Sequence, residues 1–223
     1  LSGAWGKPVR AAVFDLDGTI ADSEPRSRQA LRRMFEHYGV PHDDELLGRF
    51  VGRRGPEVFA ELGHLFPGRD PAQLSAEVGA RFRTPGLPPI EALPGAVELA
   101  SEIHRLGDPL ALVTSATRDH AVPTLDRLGL LGLFTVIVAG GDVRAGKPDP
   151  EGYRRASDEL GVAPSRCVVF EDSPAGLAAA RSAGMYCVAV ATTHPRSELG
   201  EADRIVSDLT EVTWPIAGWP IAG

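Results

Sequence analysis

Asp15 and Asp17 stand two residues apart in the run Asp15-Leu16-Asp17-Gly18-Thr19, directly after the apolar residues 11–14. In an extended segment, residues i and i+2 face the same side, so both carboxylates can address one site. Further polar groups follow other short apolar runs. Thr114 and Ser115 follow residues 110–113, Lys147 lies in the loop after residues 136–139, and Glu171 and Asp172 follow residues 167–170. Taken singly, each has an ordinary explanation. Asp17-Gly18 is a turn signal, Thr114 can cap a helix, Lys147 can be solvated, and Asp172-Ser173-Pro174 reads as a helix start. Together they place carboxylates, a hydroxyl and a lysine on one rim, provided the runs are neighbouring parallel strands. Carboxylates that close repel one another unless a cation sits among them. Oxygen donors and few histidines suit Mg²⁺, which keeps part of its shell for water and phosphate.

The elements that must position these groups follow from the pattern. Each run is short, continuous and bounded by turn residues, as strands buried on both faces are. Two more lie at residues 186–190 and, more weakly, 204–206. Between them, residues 96–106, 119–128, 150–160 and 174–183 carry helical spacing, the last two opening on proline. This alternation predicts an α/β fold with a doubly wound parallel sheet, whose ligands bind beyond the carboxyl ends of the strands. Residues 22–94 break the alternation. Helices are expected there at 27–38, 56–65 and 72–82, with no strand. We read the stretch as a small inserted helical domain, hinged near 21–25 and 84–94, on a core of residues 1–21 and 95–223. The alternative packs these helices directly on the sheet.

Composition narrows the class. The chain has 223 residues, 43% hydrophobic and 24% charged, enough for a sizeable core. A net charge of −7 argues against a nucleic-acid partner. No apolar run nears the ~20 residues of a membrane span, and residues 1–10 show no secretory signal, so a soluble cytoplasmic protein is expected. Cys167 and Cys187 both lie in apolar runs and read as small core residues rather than a disulfide pair or reactive thiols. The six histidines show no metal-ligand spacing. Of the 23 basic residues only Lys7 and Lys147 are lysine, so a retained lysine draws attention. The tail repeats Trp214-Pro215-Ile216-Ala217-Gly218 as Trp219-Pro220-Ile221-Ala222-Gly223. Two copies are too few for a solenoid, which needs about 3, and no function is assigned to them.

With its motifs in order, the chain resembles the haloacid dehalogenase superfamily over nearly its whole length. The family pattern is DxDxT after the first strand, Ser or Thr after a second, a Lys often before Pro, and a later acidic pair. Here these are Asp15 to Thr19, Thr114, Lys147-Pro148 and Glu171-Asp172. The insert resembles the helical cap of the subgroup containing β-phosphoglucomutase and many sugar-phosphate phosphatases. The resemblance implies Asp15 as a nucleophile forming an aspartyl-phosphate and Asp17 as acid, then base. It implies Mg²⁺ held by the Asp15 and Asp172 side chains and the Asp17 carbonyl oxygen, with Glu171 acting through water or from behind the ligands. Thr114, Lys147 and Ser115 would hold phosphoryl oxygens, and Arg53 and Arg54 lie near where relatives read substrate. The implied activity is hydrolysis of a small phosphorylated metabolite, with sugar phosphates the expected class.

Rival readings separate on particular residues. Residues 141–147 fit GxxxxGK, but Pro148 follows where a P-loop needs Ser or Thr. A phosphoacceptor signalling module also uses Asp, Ser or Thr, and Lys at strand ends, but needs neither Asp17 nor a large insert. Within the family, dehalogenases need no leaving-group acid, and phosphonoacetaldehyde hydrolase uses a cap Lys that residues 22–94 lack. A phosphohexomutase of the β-phosphoglucomutase type stays open as the alternative. Its cap His aligns with Ser27 and its cap Lys is missing.

Overall fold

Every side chain of β1 (Ala11–Phe14) is buried, and its two faces feed two separate cores. The computed structural model describes residues 10–51, 53–216 and 219. After β1 come β2 (Ala21–Asp22), α1 (Glu24–His37), α2 (Asp44–Gly48), α3 (Gly55–Glu61), α4 (Pro71–Phe82) and β3 (Glu91–Ala92). Strands and helices then alternate: α5 (Ala96–Arg105), β4 (Leu110–Val113), α6 (Arg118–Arg127), β5 (Phe134–Val138) and α7 (Glu151–Leu160). The chain continues through β6 (Cys167–Glu171), α8 (Pro174–Ser182), β7 (Tyr186–Val190) and β8 (Arg204–Val206).

Six strands form one parallel sheet in the order β5-β4-β1-β6-β7-β8. The chain first builds outward from β1 to β4 and β5, then crosses to β6 on the other side. The carboxyl end of β1 therefore lies at the switch point of a doubly wound sheet, where such folds bind ligands. Period-2 alternation divides the interior. Ala12, Phe14, Leu112, Val168 and Phe170 pack on one face, while Ala11, Val13, Ala111, Val169 and Cys187 pack on the other. Phe14 and Phe170, paired across β1 and β6, stack with centroids 4.7 Å apart. Helix ends follow local chemistry. Ser173 caps α8 by accepting from Gly176 N at 3.1 Å with Pro174 in the first turn, and α7 stops at Gly161, whose φ is +65°.

Helices α1 to α4 have their own apolar cluster, centred on Met34, Phe35, Val58, Phe59, Phe66 and Leu74. Phe66 sits edge-on to Phe35 and to Phe59, at 5.3 and 5.5 Å. Two expectations need correcting here. Residues 22–94 are not strand-free: β3 pairs antiparallel with β2, Ala21 against Ala92 and Asp22 against Glu91. Two residues per strand leave no period-2 signature, and the ladder ties the two connections of the insert to each other. Helix α2 was not foreseen, being only five residues long and started by Asp43, which accepts from Leu46 N at 2.8 Å.

The tail, given no part to play, joins the main core. Trp214, Ile216 and Trp219 are buried in the cluster that holds Phe14. Trp214 Nε1 donates to Asp108 Oδ2 at 2.7 Å, and Arg10 Nε reaches the same oxygen at 2.8 Å. The rest of the second repeat, and residues 1–9 with Lys7 and the signal-peptide reading, fall outside the described residues. Among the described residues no helix is long and apolar enough to cross a membrane.

Candidate active site

The main-chain ladder carries Asp15 into place. Asp15 N donates to Phe170 O at 3.0 Å, extending the β1–β6 pairing by one residue beyond β1. Thr114 N extends β4 in the same way, donating to Val138 O at 3.0 Å. Glu171 proves to be the last residue of β6 rather than the first after it. Three parallel strands thus end in Asp15, Thr114 and the Glu171-Asp172 pair at one rim.

Lys147 joins them from the loop after β5. Its Nζ donates to Asp15 Oδ1 at 2.5 Å, Glu171 Oε1 at 2.6 Å and Val113 O at 3.1 Å. An ammonium has three donors, and all three are engaged. Glu171 is equally saturated. Oε1 also accepts from Tyr153 Oη at 3.1 Å, and Oε2 accepts from Asp172 N, Ser173 N and Ser173 Oγ at 2.8 to 2.9 Å. Gly176 is required behind it, because a Cβ there would collide with the Glu171 carboxylate.

Charge balance distinguishes the acids. Burial would raise Glu171, but the Lys147 charge and the hydrogen bonds from Lys147 and Ser173 outweigh it and hold the group below the ordinary carboxylate range. Asp15 is pushed up to about 8, by burial first, then by the Glu171 and Asp17 charges, against the pull of Lys147. Asp172 also lies well above its ordinary value through burial and the neighbouring Glu171 and Asp15 charges. Lys147 is held well above 10.5, since Asp15 and Glu171 overcome the cost of its burial. Carboxylate oxygens of Asp15, Glu171 and Asp172 all lie within 4.8 Å of one another. One ammonium does not balance three buried carboxylates, and a dication would.

Asp17 stands apart from this cluster. A bridge between Asp17 and Ala21 and the bond from Gly18 N to Ala21 O, 2.9 Å, fold the chain into a tight turn. Gly18 has φ +87°, and a Cβ there would strike the Asp172 carboxylate. Asp17 Oδ1 accepts from Ser23 Oγ and lies 2.8 Å from His120 Nε2. Burial works to raise Asp17, but the His120 charge and the two hydrogen bonds prevail, and it lies below its ordinary value.

Above this floor is a cavity of about 540 Å³. Asp15, Asp17, Thr114 and Ser115 line its base, and Phe50, Phe59, Phe82 and Ser27 belong to the helical side. Arg53 and Arg54 line it too, but not as free cations. Arg53 forks onto the Glu61 carboxylate, which Arg49 Nη2 also reaches at 2.8 Å. Arg54 Nη1 contacts Glu57 Oε1 at 3.3 Å and the Arg144 carbonyl at 3.4 Å, bridging the insert to the loop that carries Lys147.

Four groups at the site escaped the sequence reading: Ser23, His120, Tyr153 and Thr193. Thr193, in the loop after β7, donates from Oγ1 to Asp172 Oδ2. The spacing of the histidines speaks only to metal ligation and passes over His120. A usable signal is its place in the first turn of the helix that follows the Thr114 strand end, where the helix still overlooks the rim.

Residues 9–184 match the model of the haloacid dehalogenase-like hydrolases. The chain belongs to that family. This haloacid dehalogenase-like hydrolase is 45% identical over 209 residues to validoxylamine A 7'-phosphate phosphatase of Streptomyces hygroscopicus subsp. limoneus, covering 94% of this chain and 98% of the relative. It is 32% identical to hexitol phosphatase A of Escherichia coli (strain K12), covering 90% and 92%. Among solved structures, CbbY from Rhodobacter sphaeroides in complex with phosphate superposes with a TM-score of 0.81 at 29% identity, covering 91% of this chain and 96% of the other.

Proposed function

We propose that this hydrolase is a Mg²⁺-dependent phosphatase of small phosphorylated metabolites, sugar phosphates or related polyol phosphates, working through an aspartyl-phosphate on Asp15. The observation that carries the reading is the pair of aspartates at the cavity floor, set in opposite surroundings. Asp15 lies against Lys147 beside an acid-rich pocket, and Asp17 is turned toward Ser23 and His120.

The donor set fits Mg²⁺. Glu171 has both oxygens taken by protein donors, so the Asp15 and Asp172 side chains would bind the ion, with the Asp17 carbonyl oxygen and Glu171 behind them. Bound there, Mg²⁺ would offset the repulsion between the carboxylate and the phosphoryl group and align the two. An Asp15 oxygen attacks phosphorus as the bond to the leaving oxygen breaks. Lys147 gives up one of its protein acceptors to hold a phosphoryl oxygen, together with Thr114, Ser115 and nearby backbone N–H groups. Asp17 has Oδ1 occupied, which leaves Oδ2 to give a proton to the departing alcohol. The dianionic ester entering beside Asp17 favours its protonated form, against the pull of His120. The same oxygen then takes a proton from the attacking water, the Asp15–phosphorus bond breaks, and inorganic phosphate leaves. Residues 22–94 act as a cap that limits water during attack and opens for release, moving about the β2–β3 ladder.

The test is phosphate release with Mg²⁺ from validoxylamine A 7'-phosphate, glucitol 6-phosphate, fructose 1-phosphate, glucose 6-phosphate and trehalose 6-phosphate. Sustained multiple turnover of at least one ester is expected, with none from Asp15→Asn. No turnover of any of them overturns the proposal, and a single stoichiometric phosphorylation points to a signalling module instead.

A further inference from the structure

His120 comes from α6, outside the four motifs, and is the partner of Asp17 that lies farthest away in sequence. Its ring has a contact on each side that matters. Nε2 lies 2.8 Å from Asp17 Oδ1, and Thr124 Oγ1, one helical turn on, stands 3.5 Å from Nδ1. The ring meets Phe82, the last residue of α4, edge-on with centroids 4.6 Å apart. Phe82 is itself fixed. The Arg26 guanidinium lies 5.2 Å from its ring centre, and Arg26 donates to the carbonyls of Phe82, Thr84, Leu87 and Pro88 at 2.7 to 3.3 Å. The return connection of the insert is thereby laced to α1 and ends against the imidazole.

We propose that His120 is a positioning residue that sets the rotamer of Asp17, and that Phe82 makes this setting depend on the insert being seated. The inference rests on the acid–base reading of Asp17 given above. A carboxylate has two equivalent oxygens and a freely turning χ2, so one donor leaves it able to swing. Two donors on Oδ1, from Ser23 on the insert's first connection and His120 on the core, fix the plane and present Oδ2 to the cavity. Phe82 blocks the imidazole from rotating away. When the insert lifts, Phe82 leaves with it and that restraint on His120 is lost.

The experiment compares His120→Ala, His120→Gln and Phe82→Ala with Asp17→Asn. It uses the fastest ester of the panel above and p-nitrophenyl phosphate, whose leaving group departs without a proton. Gln carries an amide N–H near the place of Nε2 and takes no part in proton exchange. His120→Ala is expected to lower kcat on the alkyl ester by roughly 10- to 100-fold, on the scale of misplacing a reacting group, with KM nearly unchanged. His120→Gln should recover most of that loss. Phe82→Ala should show a smaller loss, and adding it to His120→Ala should cost nothing more. On p-nitrophenyl phosphate the loss in kcat/KM should shrink. An unchanged kcat in His120→Ala, while Asp17→Asn is inactive, overturns the inference alone. So does an equal loss in the Ala and Gln variants on both substrates. Full activity in Asp17→Asn overturns the acid–base reading beneath it. Should His120→Ala fail to fold, the Gln variant and Phe82→Ala decide by the same criteria.

Discussion

Lys147 Nζ stands between Asp15 Oδ1 and Glu171 Oε1, 2.5 Å from one and 2.6 Å from the other, with the Val113 carbonyl as its third acceptor. A point charge with three donors fills this site, and a planar fork does not. Lys147→Arg should therefore lower turnover by roughly 10²-fold or more, the scale of removing a transition-state donor, despite keeping the charge. Steady-state kinetics on the best ester check this. Near-native activity would show that the lysine is replaceable.

Removing that charge should also be felt by the fold. Lys147→Met leaves Glu171 buried without its cation, a change that costs about 3–5 kcal/mol where such pairs are broken. Urea denaturation should show a drop of that size, and the added substitution Glu171→Gln should recover part of it. A loss below about 1 kcal/mol, the scale of an exposed pair, would mean the pair is not stabilising as its burial indicates.

The acid cluster predicts how Mg²⁺ and pH act together. Asp15 keeps its proton up to about 8 in the folded chain, against 3.8 as its ordinary value, and Asp172 shifts the same way. Between those limits the folded state binds more protons than the unfolded one, so the stability of the metal-free protein falls as pH rises through this window. His120, held above its ordinary value despite its burial by the charge and hydrogen bond of Asp17, works in the same direction. Cation binding needs the carboxylates free of protons. The rise in melting temperature that saturating Mg²⁺ produces should thus be larger at pH 8 than at pH 6. An equal or smaller rise at pH 8 would place the cation elsewhere.

Both thiols should be inert in the native protein. Burial pushes Cys167 and Cys187 up to about 12, and neither has exposed surface. A thiolate reagent at pH 8 should label neither until urea is added, and then both. Fast labelling without denaturant would show that the sheet face holding them opens readily.

Product analysis separates hydrolysis from isomerisation. Ser27, which the family resemblance sets against the mutase histidine, lines the cavity, and no lysine lies in residues 22–94 to grip a second phosphate. Arg53 and Arg54, the available substitutes, are already engaged by Glu61 and Glu57. With β-glucose 1-phosphate, Mg²⁺ and a trace of glucose 1,6-bisphosphate, slow release of inorganic phosphate is expected at most. Rapid accumulation of glucose 6-phosphate would make the protein a mutase.

The parallel sheet was legible because its strands are buried on both faces. Residues such as Ala11 to Phe14 and Cys167 to Phe170 must then be apolar without interruption, and the polar residue after each marks the rim. Asp15, Thr114, Lys147, Glu171 and Asp172 could be read for that reason. His120 carries no such mark, since it meets Asp17, 103 residues earlier in the chain, only once the fold sets α6 beside the turn after β1. Arg53 and Arg54 were read only for their place near the substrate, and although the spacing of Arg54 and Glu57 is a helical one, the pairing of Arg53 with Glu61, eight residues on, follows from the packing of α3. The β2–β3 ladder joins Ala21 to Ala92 and Asp22 to Glu91, and a pairing of only two residues writes no pattern into either segment.

Burial of the two C-terminal indoles decides what light emitted by this protein can report. Trp214 lies 6.0 Å from Trp219 and is hydrogen-bonded to Asp108, while Trp219 lies 6.3 Å from Tyr186 at the start of β7. The remaining tryptophan, Trp5, precedes β1, and residues 22–94 contain none. The emission of Trp214 and Trp219 will therefore follow the seam between the tail and the sheet, and its loss on heating will mark the peeling of that seam. Movement of α1 to α4 leaves this pair of indoles where it is, so a flat signal from Trp214 and Trp219 on adding a phosphate analogue says nothing about closure. A reporter for that motion has to be placed by substitution within α1 to α4.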